Sequence, residues 1–214
     1  MNPPSRGLTL GLIGVIIFSL TMPMTKIAMT DGLLSPWFVW AGRAVLAAAA
    51  GIVYLLATRA PLPPRKAWLP LAGATAGIVF GWPLLNTFAL LTVPSSHAAV
   101  VNGILPLATA VIGATLNRES LSRRFWACAI AGTLLVCGYA WLRAHGELHV
   151  ADTLMLVGVV LGGLGYACGA MATRYLTGPQ AISWALILGL PGTLVLALAN
   201  LPSQPATVSI SAWF

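Results

Sequence analysis

Long apolar stretches separated by short polar connections set the pattern of this chain. They lie at 8–28, 35–57, 68–91, 97–116, 125–142, 153–173 and 181–201. Each approaches the roughly 20 residues that a helix needs to cross a hydrocarbon core about 30 Å thick. The runs are apolar on every face, whereas a membrane barrel alternates apolar and polar positions, so the pattern predicts helices. Helices also let every backbone polar group find a partner inside its own segment, as lipid requires. The expected fold class is an all-α integral membrane protein with about seven transmembrane helices, and no stretch remains for a soluble domain.

Composition agrees, since 58% of residues are hydrophobic and 7% are charged, against roughly 25% charged in an ordinary soluble domain. The 11 Lys and Arg outnumber the four Asp and Glu, a balance that in a soluble protein points to nucleic acid. Here the basic residues sit mainly in the connections. With the N-terminus inside, Arg6, Arg59, Arg65, Lys66, Arg118, Arg123, Arg124 and Arg174 fall on the cytoplasmic side, and only Lys26 and Arg143 on the outer. That asymmetry follows the positive-inside rule. It predicts a multi-pass protein of the cell membrane with a cytoplasmic N-terminus, whose partner is the lipid bilayer and not nucleic acid. The acidic residues Asp31, Glu147 and Asp152 fall on the outer side. The first run is too long for the apolar core of a cleaved signal and reads as a retained span. Cys128, Cys137 and Cys168 lie inside apolar runs without ligand-like spacing, and read as small hydrophobes.

Small residues recur where helices can approach closely. Gly73, Gly77 and Gly81 follow at spacing four, and Gly158 with Gly162 and Gly165 with Gly169 repeat the device in the sixth run. They read as helix contacts before they read as a substrate path. Pro23, Pro83, Pro106 and Pro191 lie inside runs, where each removes a backbone donor and tends to kink its helix.

The first two runs and the last two echo one another. Phe18 precedes Lys26 by eight residues as Tyr166 precedes Arg174, and Ser35-Pro36-Trp37 is matched by Ile182-Ser183-Trp184. The copies lie five runs apart. An odd number of spans per unit places equivalent positions on opposite faces of the membrane, which is an inverted repeat.

The residues that follow resemble a known family. Pro36 with Arg43, Ala89-Leu90, the turn Pro94-Ser95-Ser96, Pro106, Glu119 with Leu121, and Gly132 with Gly138 resemble EamA-type permeases of the drug/metabolite transporter superfamily. The resemblance implies a first five-helix unit over 8–142 and a second, incomplete unit of about two helices over 151–214. It implies a permease that moves a small organic solute, an amino acid, a related metabolite or a toxic compound, by alternating access. Members generally have two units of five helices. The chain is therefore expected to be truncated and to need a homodimer or a separately encoded partner for the missing helices. An isolated monomer is expected to insert without transporting. Phe18 and Tyr166 stand where members often carry Trp, which bears on what the cavity accepts.

Candidate chemistry is sparse. Arg43 lies seven residues past Pro36, roughly 10 Å into the bilayer at about 1.5 Å per residue. Depth makes its charge costly unless it faces protein or water, so it orients a substrate anion, bonds helix-end carbonyls or snorkels outward. Asn86 and Asn102 line a cavity or bond between helices. Trp40, Trp82 and Tyr166 are candidate cavity walls with a polar tip, while Trp37 and Trp68 read as interfacial anchors. These six residues, Arg43, Trp40, Trp82, Asn86, Asn102 and Tyr166, form the candidate substrate site. Catalytic residues, metal and cofactor are not expected. Within the runs as delimited there is no carboxylate, which argues against proton coupling through an intramembrane acid. Glu119 reads as a helix-end ion pair beside Arg118, Arg123 and Arg124. His145, Glu147 and His149 are the one cluster that suggests metal, and a polar loop is the plainer reading. A non-transporting fragment, an accessory subunit and a membrane-embedded metal-dependent enzyme are the competing functions.

Overall fold

A computed structural model describes residues 3–30, 34–117, 121–143 and 150–202, and the described elements are helical. Six stretches among them are long and apolar enough to cross a membrane: Gly11–Ala28, Pro36–Ala57, Arg65–Ala89, Ser95–Leu116, Val150–Ala172 and Gly178–Ala199. The predicted fifth run coincides with a further helix of 21 residues, Arg123–Arg143.

Several stretches are not single α-helices, and proline explains where they break. The first is α1 (Pro3–Ser19) and α2 (Thr21–Ala28), separated at Leu20. Pro23 cannot donate to the carbonyl of Ser19, so the ladder fails just before it. α3 (Pro36–Ala57) is continuous and is capped by Ser35, whose hydroxyl accepts from the Phe38 N–H at 3.1 Å. The third stretch runs through α4 (Trp68–Ala74), a π-helical segment Thr75–Gly81 and α5 (Trp82–Ala89). Pro83 has no N–H for the carbonyl of Val79, and the indole of Trp40 donates to that carbonyl at 2.9 Å. The fourth is α6 (Ser95–Asn102) and α7 (Leu105–Asn117), interrupted before Pro106. α8 (Arg123–Arg143), α9 (Val150–Ala172) and α10 (Gly178–Ala199) follow, and α10 continues through Pro191.

Two packings position everything else. α3 lies along α10, with Ala41, Ala44, Ala48 and Gly51 on its buried face. α9 packs on α4, α5, α7 and the π segment through its glycines. A methyl group on Gly77 would meet the Leu161 carbonyl oxygen at 2.2 Å and the Gly165 Cα at 2.5 Å, so two backbones touch here. Gly162 lies close to the side chains of Trp82 and Leu105, at 3.0 Å from an added methyl, and Gly158 to that of Asn86, at 3.2 Å. The predicted glycine stripes are thus one interface seen from its two sides.

One sequence expectation changes. The apolar pattern starts the sixth run at residue 153, but α9 begins at Val150 and takes Asp152 into its first turn. Asp152 Oδ1 lies 2.6 Å from His97 Nε2 of α6, and both side chains are largely buried. A carboxylate therefore does lie inside a membrane-length helix, where its histidine partner compensates its lost hydration. His145, Glu147, His149, Glu119 and Asp31 lie outside the described residues.

Candidate functional site

Arg43 is held by the first stretch. Its Nη1 donates to Thr25 Oγ1 at 3.0 Å, and that hydroxyl donates in turn to the Thr21 carbonyl at 2.7 Å. The Thr25 proton is thereby committed to its own helix, and its lone pair faces the guanidinium. No carboxylate among the described residues is paired with Arg43, whose remaining N–H donors are unclaimed there.

Arg43 borders an open cleft of about 570 Å³ between α2, α3 and α10. Met24, Leu34, Phe38, Leu194 and Leu198 give it apolar walls, and Thr25 and Thr21 add hydroxyls. That volume lies within the roughly 300–1,000 Å³ of small-molecule sites. Among the described residues, Arg43 is the one ionisable side chain in an otherwise apolar and hydroxyl-bearing lining.

The other sequence candidates divide. Trp82, Asn86 and Asn102 form one network: Asn102 Oδ1 accepts from Trp82 Nε1 at 2.5 Å, and Asn102 Nδ2 donates to Asn86 Oδ1 at 2.6 Å. Asn102 Nδ2 also donates to the Ala98 carbonyl, and Asn86 Nδ2 to the Trp82 carbonyl, each at 2.8 Å. The carboxamides thus tie α5 to α6. Phe18 stacks on Trp82 with ring centroids 5.5 Å apart, and Tyr166 packs against the core cluster that contains Trp82. Trp40 is separate from both groups. It is almost wholly buried, its indole is committed to Val79, and it does not line the Arg43 cavity.

Sequence reasoning missed Thr25, because a threonine in an apolar run carries no signal of which helix it faces. It also missed His97, whose only hint was a lone acid near the start of another run. Lys26, singled out by the repeat, donates to the carbonyls of Leu90 and Val93 and so pins α2 to the end of α5.

The family model for the EamA-like transporter family matches residues 5–142. A curated protein from Bacillus subtilis (strain 168), called "Uncharacterized transporter YdeK", is 39% identical over 212 residues, which is 99% of this chain and 73% of that protein. No solved structure matches the chain.

Proposed function

Because the chain belongs to the EamA-like transporter family and is a multi-pass membrane transporter, we propose that it is a permease carrying a small organic solute across the cell membrane by alternating access. The observation that carries this reading is Arg43, a cation without a paired carboxylate among the described residues, at the wall of an apolar cavity. A charge at the centre of a membrane helix costs about 2.5–3.5 kcal/mol on insertion scales, and Arg43 lies part of the way to that depth. Its anchoring by Thr25 suits a group kept in place to meet an anion. Of the sequence candidates, Arg43 binds directly, and Trp82, Asn86, Asn102 and Tyr166 shape the neighbouring junction, with Trp40 as support. The units 8–142 and 151–214 move against each other about that junction, where Phe18 and Tyr166, equivalent in the repeat, approach the same cluster around Trp82. A second copy or a separately encoded partner takes part in the working assembly.

A screen for growth or accumulation across amino acids, organic acids and toxic compounds, with the gene expressed and deleted, tests the permease reading. A solute whose accumulation changes with expression supports it, and indifference to every solute class counts against it. Orientation has its own expected outcome. Tags at Met1 and after Arg65 should report cytoplasm, and a tag near Glu147 the outside; outside labelling at Arg65 overturns the orientation while leaving the helices intact.

A further inference from the structure

We infer that the solute held at Arg43, on the permease reading above, is a monoanion with a compact apolar body, and that zwitterions of the same shape are rejected. Among the described residues the charge on the wall is +1, from Arg43, the one ionisable side chain there that borders the cavity. A single carboxylate laid against the planar fork of the guanidinium balances it, and the fork has donors to spare once Thr25 has taken one. The apolar body then sits among Met24, Leu34, Phe38, Leu194 and Leu198.

An amino acid brings a difficulty that the same body without an ammonium does not. With the carboxylate on Arg43, the ammonium sits beside a second cation and needs acceptors of its own. The hydroxyl of Thr25 accepts from Arg43 and keeps one lone pair, and with Thr21 it is the only side-chain acceptor on the wall among the described residues, two hydroxyls against three N–H donors. A desolvated ammonium without a partner is expensive. A dianion fails for the converse reason, since its second charge finds no cation on the wall among the described residues. Selection therefore comes from what the wall lacks as much as from what it offers.

Three probes share one branched body and differ only in charge: isocaproate, free leucine and isoamylamine. Calorimetry on the full chain in nanodiscs of zwitterionic lipid should show isocaproate binding at least tenfold more tightly than the other two. Arg43→Gln should weaken isocaproate at least tenfold, and Arg43→Lys by less. Thr25→Val, which keeps the shape and removes the acceptor, should weaken it severalfold at an unchanged melting temperature, and so keeps the test meaningful should Arg43→Gln not fold. Asp31→Asn should leave the order of the three probes unchanged, and a reversal of that order overturns the inference. Leucine bound as tightly as isocaproate, in an Arg43-dependent way, overturns the charge class and leaves the permease reading standing. If none of the three binds and transport of every solute is indifferent to Arg43, the inference fails while the permease reading, tested by the accumulation screen, stands. Native mass spectrometry in discs doped with phosphatidylglycerol separates the other source of a monoanion with an apolar body. Retention of that lipid by the wild type and not by Arg43→Gln, without isocaproate binding, assigns the cavity to lipid and overturns the solute.

Discussion

Replacing Gly77 by leucine is expected to prevent recovery of folded protein. A first side-chain carbon there already overlaps the Leu161 carbonyl at 2.2 Å and the Gly165 backbone at 2.5 Å. Backbone atoms cannot swing aside as a side chain does, so α4 and the π segment would have to separate from α9 along the interface that also holds Gly73 and Gly81. Overpacking of a core typically costs about 1–3 kcal/mol, and this contact should exceed that range because both partners are main chain. Size-exclusion profiles of the solubilised protein read the effect directly. Gly132 on α8 has open space around it, so Gly132→Leu should give a monodisperse peak like that of the wild type. A monodisperse Gly77→Leu protein with wild-type melting would show that the close crossing of α9 is wrong.

Arg43→Ala is expected to lower transport at least tenfold at equal expression, equivalent to about 1.4 kcal/mol or more of lost stabilisation. Arg43→Lys should insert normally and still lose much of the activity, because a point charge cannot reproduce the planar fork. Insertion and activity pull apart here for a physical reason. Removing a charge from the bilayer makes insertion easier, while the hydrogen bond to Thr25 and the attraction for an anion both disappear. Initial rates measured with the solute found by the accumulation screen, normalised to membrane-inserted protein, check it. Unchanged rates in Arg43→Ala would falsify the binding role.

The helices were legible because a bilayer demands long apolar runs, and no tertiary detail is needed to see them. Their interruptions were half legible: Pro23, Pro83 and Pro106 each sit at a break or a change of winding, but Pro191 lies in a continuous helix of 22 residues. Proline states which hydrogen bond is lost, and packing decides whether the helix bends. Arg43 was legible from cost alone, since a buried charge needs a reason wherever it lies. Its partner was not, because the pairing with Thr25 depends on how two helices rotate against each other. The asparagines show the same limit. Their types favoured an interhelical bond over a cavity wall without naming its partners, and the network with Trp82 supplies them. His97 and Asp152 lie 55 positions apart, and only the shared position of the ends of α6 and α9 brings them together.

Alternating access to the Arg43 cavity is tested most directly by a cysteine at Gly42, which lines the cavity and has only the far edge of Phe38, at 3.9 Å, near its missing side chain. Cys128, Cys137 and Cys168 are first replaced by alanine. Oriented membrane vesicles are then treated with a membrane-impermeant maleimide from one side or the other, with and without the transported solute. A permease should let the reagent reach Gly42→Cys from each side, as the cavity opens first to one face and then to the other, and bound solute should slow both reactions. Reaction with lipid-soluble reagents alone, unaffected by solute, would mean that the cavity opens to the bilayer, contradicting alternating access at Arg43.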